Sequence, residues 1–364
     1  MIHRGNSADP PGLDRPLDRP LDRPLDRPLD RRSLLRGGLA LTAGGLAYPL
    51  LSACAGGASV QESGGKSEVS LRFNWTIKGE FTPFFVAREK GYYDQEGISV
   101  KLLEGKSGTQ AVQVVGTGQD HFGYIPSIQV TQGVNKDVPV KTVATFGQYT
   151  GMCWASWPDV PLDAPKALEG NRVSVSASST FFQVWPAFQE KFGLDKSKIE
   201  VVQPDPSARV GLFLRHKLDI MADIFYANDY VILREKAGEK LNLLRLSDLD
   251  FDPLGYQLVV NGSLADRDPD LVRRFVRATM KGFELTANNP QEAADIMTRL
   301  HGDRLGGDVI KGQVENMIEL LLREPALGQA TEQQWQRHLQ LLADAGVIDD
   351  KRPLGDYYTN EFLG

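Results

Sequence analysis

Two stretches of the chain place several hydroxyl side chains where a strand pattern gives way to a helix pattern. One is Glu104-Gly105-Lys106-Ser107-Gly108-Thr109, ahead of a helical run from Gln110; the other is Ser176-Ala177-Ser178-Ser179-Thr180, ahead of a helix from Phe181 to Phe192. Ser and Thr at such positions cap the helix, and the free N–H groups of its first turn point outward with the positive end of the helix dipole. Turns of this kind can hold an anionic or carbonyl oxygen. Ser107, Gly108, Thr109, Ser176, Ser178, Ser179 and Thr180 are therefore candidate ligand-binding residues, although plain N-capping is the simpler account of any one of them taken alone.

Two further stretches carry other chemistry. Val69, Leu71 and Phe73 alternate with polar residues as in a strand, and Thr82-Pro83 reads as the cap and first residue of a helix. The turn between them should face a cleft, where Trp75 offers a flat apolar face to a ring, flanked by Asn74, Glu80 and Phe81; Glu80 could equally be a plain turn residue. The strand Ile220 to Phe225 is apolar on both faces apart from Asp223, which must be paired, at a strand end or facing a cleft, because burying it alone is costly. Asp223, Tyr226 and Asn228 are candidate contacts, with helix capping and a hinge hydrogen bond as the alternative.

No pattern points to catalysis. Gly105-Lys106-Ser107-Gly108 lacks the spacing of a phosphate-binding loop, Gly116-Thr117-Gly118 lacks the third glycine of a dinucleotide fingerprint, and no nucleophile–base pair is visible. The histidines (His3, His121, His216, His301, His338) are scattered and no CxxC occurs, so neither a metal nor another cofactor is expected. A net charge of -6 gives no support to a nucleic-acid partner. A monomer is expected. Whether Cys153 lies in the cleft is not legible, and a small buried apolar role is the commoner one.

The elements that would position these residues alternate. Strands are expected at Val69–Phe73, Ile98–Leu103, His121–Ile125, Val138–Phe146, Met152–Trp157, Arg172–Ser176, Lys198–Val202, Asp219–Phe225, Leu241–Leu246 and Tyr256–Val260, with helices between most of them. The proline-rich stretch Pro158 to Gly170 marks a crossover, which puts 69–160 and 255–364 in a first lobe and 161–254 in a second. Helices at Pro269–Ala287, Gln291–Leu300, Asp308–Arg323 and Thr331–Ala345 should pack on the first lobe. Phe275, Met280, Phe283 and Trp335 are read as core, and Arg273, Arg274, Arg277 and Lys281 as a solvated helix face or part of a partner surface.

Residues 1–53 read as a leader. Leu-Asp-Arg-Pro repeats from Leu13, and a proline every fourth residue forbids a stable helix, so this part is read as disordered or as an extension from a misplaced start. Arg31-Arg32, an apolar Gly-rich run and Leu51-Ser52-Ala53-Cys54 follow, the parts of an export signal, with an apolar run too short and too interrupted for the ~20 residues a bilayer needs. The paired arginines resemble a twin-arginine signal and the last four residues a bacterial lipobox, which implies lipidation of Cys54. Residues 54–68, rich in Gly and Ser, read as a flexible tether.

Trp75, the Val86-Ala87 pair, Glu89-Lys90-Gly91-Tyr92-Tyr93, Glu96-Gly97 and Val100 together resemble the first segment of the solute-binding proteins of ABC importers for nitrate, sulfonates, taurine and thiamine-pyrimidine precursors. The resemblance implies an α/β, two-lobed, type II periplasmic-binding-protein-like fold, each lobe a mostly parallel sheet flanked by helices, with the ligand cleft between lobes. It also implies Tyr124 and Ser127 as ligand contacts. The implied partners are a small-molecule ligand, an ABC permease in the membrane and the membrane itself through the lipid anchor, outside the cytoplasm. Phe81 occupies the position at which the pyrimidine-precursor members often carry a histidine, and the cysteine-rich iron motif of the synthases is missing, so no enzyme activity is expected. Lys78 and Lys106 are the basic residues near the expected wall, which favours a neutral, nitrogen-containing or heteroaromatic ligand. The alternatives are an oxyanion binder of the same fold, a thiamine-precursor-synthase-like enzyme and a ligand sensor.

Overall fold

The computed structural model describes residues 58–177, 179–238, 240–321 and 326–364, so the repeat, the export signal, Cys54 and Ser178 lie outside the described residues. The described chain opens on β1 (Gln61–Ser63) and β2 (Lys66–Phe73), an antiparallel hairpin. This corrects part of the tether reading: Gly64 and Gly65 supply the two positive φ values of a tight hairpin turn, and composition alone cannot tell such a turn from a linker. Then come β3 (Ile98–Leu103), β4 (Phe122–Pro126) and β5 (Val140–Phe146), which belong with β2 to a first sheet. A second sheet takes β6 (Met152–Ser156), β7 (Arg172–Ser174), β8 (Glu200–Val202), β9 (Ile220–Phe225) and β10 (Asn242–Arg245). The chain returns to the first sheet as β11 (Tyr256–Asn261).

The sheets repeat one plan. β2 pairs parallel with β3 and β4, and β7 pairs parallel with β8 and β9. The strands adjoining the passages between sheets run the other way: β11 lies antiparallel between β4 and β5, and β6 antiparallel between β9 and β10. The parallel strands are linked by helical crossovers that cover the sheet faces, which explains their apolar runs.

β6 belongs to the second sheet, pairing Cys153 with Ile224 and with Arg245. The crossing expected at Pro158–Gly170 therefore lies earlier, between Phe146 and Met152. The prolines mark only a surface loop with one short turn, Pro165–Leu168, whereas the true passage is brief and bends at Gly147 and Gly151, with φ of 84° and 77°. The return passage, between Leu249 and Tyr256, runs beside it. Thr150 N donates to Pro253 O (3.0 Å) and Gly255 N to Gly147 O (3.2 Å). Asp252 ties the two together: it accepts from Thr150 N (3.3 Å), Gly151 N (3.1 Å) and the Thr150 hydroxyl. Gly255 has to be glycine because a Cβ there would sit 2.1 Å from Phe146 O and 2.4 Å from Gly147 O.

The core follows the sheets. Phe122 stacks on Phe275 at 3.7 Å and Phe146 on Phe283 at 3.9 Å, joining the first sheet to the helix Pro269–Asn288. Phe275, Phe283 and Trp335 are fully buried and Met280 is partly so. Two basic residues of that helix face one acid: Arg277 donates twice to Glu96 at 2.8 Å, and Lys281 lies 3.9 Å from it, while Arg273 pairs with Asp270 at 3.0 Å. Gly307–Leu321 packs on both lobes, close enough to the helix Asp229–Ala237 that a Cβ on Gly312 would lie 2.7 Å from Val231. Cys153 is buried in the second lobe among Ala155, Phe213 and Met221.

Candidate functional site

In both lobes the turns after the parallel strands open toward the same cleft, the place where open α/β sheets bind ligands. After β2 come Asn74, Trp75 and Lys78; after β3, Ser107, Gly108 and Thr109; at the end of β4, Pro126, with Gln129 one turn into the helix Ser127–Asn135. From the second lobe come Ser176, Ser179, Thr180 and Gln183 after β7, Pro206 and Arg209 after β8, and Asp223, Phe225 and Asp229 at and after β9. Tyr256 of β11 completes the lining of a cleft of about 670 Å³, its open mouth included.

Local bonds hold the walls in place. Gly105 N donates to Trp75 O (3.1 Å), and a Cβ on Gly105 would sit 2.0 Å from Phe73 O, so only glycine lets these two turns touch. Ser107 Oγ accepts from Gln110 N and Ser179 Oγ from Phe182 N, each at 3.1 Å, so both hydroxyls cap their helices. Gln129 Nε2 approaches Thr180 Oγ1 at 3.5 Å, one of the places where the two lobes reach toward each other.

The charges on the walls are spent on one another. Arg209 donates from Nη2 to Asp229 Oδ1 (2.8 Å) and from Nη1 to the Asp223 carbonyl (2.6 Å), with Asp223 Oδ2 3.4 Å away. Asp223 also accepts from Ser174 Oγ (3.0 Å) and Ser176 N (2.7 Å). Lys78 donates to Asn228 Oδ1 (2.8 Å) and lies 4.0 Å from Asp229. Burial would raise the Asp229 carboxyl, but Arg209, Lys78 and the Phe225 N–H outweigh it and hold it below the usual carboxylate value. Two cations and two carboxylates thus leave the lining formally neutral.

What remains unspent is polar and uncharged. Asn74 Oδ1, Gln129 Oε1, Ser176 Oγ and Gln183 Oε1 are buried without a hydrogen-bond partner, and all four residues line the cleft. Buried polar atoms without partners are rare and costly. Three are amide oxygens, which accept, so together with the Ser176 hydroxyl they match a ligand edge that presents N–H groups. Trp75, Phe225 and Tyr256 add aromatic surface beside them, with Tyr256 stacked on Tyr124 at 4.9 Å behind the wall.

Of the residues singled out in the sequence, Asn74, Trp75, Ser107, Gly108, Thr109, Ser176, Ser179, Thr180 and Asp223 line the cleft. Six others do not. Glu80 is buried behind the lining, where it accepts from Asn228 Nδ2 at 2.7 Å; burial raises its carboxyl above the usual value against the opposing pull of Lys78 and Asn228. Phe81 stacks on Phe73 at 4.2 Å in the core, within the one-turn helix Gly79–Phe81 that takes the place of the expected Thr82 cap. Tyr124 sits among Phe81, Phe84 and Phe146. Ser127 donates to Leu254 O, Tyr226 to Glu319 Oε2 (2.7 Å), and Asn228 joins Lys78 to Glu80. Each belongs to a strand end, turn or helix start beside the cleft, but its side chain points back toward the core or the neighbouring helix. The sequence reading missed Pro126, Gln129, Gln183, Pro206, Arg209, Phe225, Asp229 and Tyr256 as lining residues. A signal existed for Pro206 and Arg209, which follow the second parallel strand of the second lobe, β8, as Ser176 follows the first.

With this geometry in view, comparison with known proteins gives a consistent result. A family described as NMT1/THI5 like matches residues 78–293. The riboflavin-binding protein RibY of Chloroflexus aurantiacus is 25% identical over 81% of this chain and 86% of its own. The 4-amino-5-hydroxymethyl-2-methylpyrimidine phosphate synthase of Legionella pneumophila is 23% identical over 82% of this chain and 93% of its own. Among solved structures, the periplasmic aliphatic sulphonate binding protein SsuA from Escherichia coli shares the fold, with a TM-score of 0.63 at 14% identity over 78% of this chain and 89% of that one.

Proposed function

The chain belongs to the NMT1/THI5-like family, and from that premise we propose that it is an extracytoplasmic solute-binding protein that captures a small, uncharged, nitrogen-containing heteroaromatic molecule and delivers it to an ABC importer. The observation that carries the ligand class is the pairing of a charge-balanced lining with three unpartnered amide oxygens beside Trp75, Phe225 and Tyr256. A flavin or pyrimidine ring presents flat apolar faces and an edge of alternating N–H and C=O groups, which suits that lining; RibY, by its name a riboflavin binder, is in keeping with it.

Binding without catalysis is the better reading of the cleft. Among the described residues no histidine or cysteine lines it, and Phe81, at the position where pyrimidine-precursor members often carry histidine, is sealed in the core. Attachment to the membrane would come through lipidation of Cys54, with the folded part working as a monomer; among the described residues no helix is long and apolar enough to cross a membrane. The test is calorimetric titration of the purified protein with riboflavin, lumichrome, 4-amino-2-methylpyrimidine and ethanesulfonate. A ring compound at a hundred times its dissociation constant should also stabilise the fold by about 2.7 kcal/mol. Binding of ethanesulfonate with no binding of any ring compound would overturn the ligand class.

A further inference from the structure

The fold does not decide the charge of its ligand, since the Escherichia coli protein that shares it is a sulphonate binder by name. In this cleft an entering oxyanion would need a cation with bonding capacity to spare. The charge of Arg209 is already matched: Nη2 donates to Asp229 Oδ1 and Nη1 to the Asp223 carbonyl, with the Asp223 carboxylate 3.4 Å from Nη1. Lys78 points at Asn228 Oδ1, with the same Asp229 oxygen 4.0 Å away. Asp229 is thus the one carboxylate that both cations share, and it is itself buried.

Resting on the proposed function, we infer that Asp229, supported by Asp223, is a specificity-determining residue that closes the cleft to oxyanions and reserves it for uncharged ligands. It acts twice: it uses up the positive charge that would attract an oxyanion, and it adds like-charge repulsion at the wall. Asp223 contributes to the same balance but also builds the wall, through its bonds from Ser174 Oγ and Ser176 N. Asp229 has one structural bond of its own, accepted from Phe225 N at 3.2 Å, which an asparagine carbonyl can still accept. Asp229→Asn therefore removes the charge while keeping the shape, and leaves Asp223 as the carboxylate of the lining that faces Arg209, with Glu80 behind the wall as the acid near Lys78.

The experiment is calorimetric titration of wild type and two variants with riboflavin and with ethanesulfonate, at low and at moderate salt. Asp229→Asn should bind ethanesulfonate at least about tenfold more tightly than wild type, and the gain should shrink as salt rises. Gln183→Lys adds an unspent cation from a half-buried helix position without touching the carboxylates, and should show the same gain; it keeps the test open if Asp229→Asn fails to fold. A folded Asp229→Asn with no gain overturns the assignment of Asp229, and no gain in either folded variant overturns the charge filter as a whole. Wild type binding ethanesulfonate as tightly as the variants would also overturn it. The functional reading fails separately: if wild type binds no uncharged ring yet the variants gain ethanesulfonate, the filter stands and the ligand class falls.

Discussion

Replacing Arg209 with methionine should destabilise the protein by about 4 kcal/mol at pH 7.5. The side chain bridges two carboxylates that are nearly inaccessible, Asp223 at 2% and Asp229 at 6% exposure. Methionine fills much of the volume but restores none of the three contacts, at 2.6, 2.8 and 3.4 Å. Removing one partner of a buried ion pair costs about 3–5 kcal/mol, because the charge left behind stays desolvated. The remaining donors, Ser174 Oγ, Ser176 N and Phe225 N, soften the loss but carry no charge. The pH dependence follows from the same bonds. In wild type Asp229 is held below its unfolded value, so its contribution is present above about pH 4 and is lost as pH falls through the lower folded value. In the variant burial is opposed only by Lys78 and the Phe225 N–H, the folded carboxyl rises, and the variant loses stability as pH climbs. The gap between the two proteins should therefore narrow from pH 7.5 to pH 5. Urea unfolding followed by far-ultraviolet circular dichroism, on protein refolded to remove any carried-over ligand, measures it. A loss below about 1 kcal/mol, or a gap of the same size at both pH values, would refute the account of Arg209 as the bridge between these carboxylates.

Four other outcomes follow from the structure. Trp75→Ala should weaken binding of a ring ligand by about 1–2 kcal/mol through lost stacking while leaving urea stability nearly unchanged, since Trp75 is only half-buried; equal riboflavin affinity in both proteins would exclude Trp75 from the contact. Gly255→Ala should force the two passages between lobes apart at Phe146 O and Gly147 O, costing about 2 kcal/mol or more, and an unchanged melting temperature would contradict that close approach. Burial pushes the Asp252 carboxyl up to about 7 against the donors Thr150 and Gly151; its contribution is full below about pH 4 and falls as pH rises through 7, by about 2–3 kcal/mol between pH 5 and 8. Asp252→Asn should flatten that slope in pH-resolved urea titrations, and parallel slopes would rule the group out. Phe275→Ala, which empties the stack on Phe122, should cost about 3–5 kcal/mol by the same unfolding measurement.

The sequence made strand–turn–helix units legible because their period changes within a few residues, and with them the turn residues Asn74, Trp75, Ser107 and Ser179 that reach the cleft. It could not show which face of a turn looks outward: Tyr226 and Asn228 stand in the right loop, yet one donates to Glu319 and the other is buried between Lys78 and Glu80. Gln129 and Gln183 sit inside helices, where a glutamine reads as ordinary surface. Arg209 had no visible partner, because Asp223 and Asp229 lie 14 and 20 residues further on and meet it only once β8 and β9 are in one sheet. The sheet to which β6 belongs was hidden for a related reason. Strand periodicity gives the existence of a strand and not its neighbour, and the composition break fell after the crossing instead of in it.

The bonds between the two interlobe passages set the mechanics of capture. Two independent strands would let one lobe slide, tilt and twist against the other, and each freedom lost on closing would count against affinity. Here Asp252 rivets residues 150 and 151 to the returning strand, and Gly255 seats against Gly147. The joined pair, with the helix Gly307–Leu321 packed on both lobes, leaves the lobes fewer independent ways to shift than two unlinked strands would, so less freedom is left to be lost when a solute is enclosed.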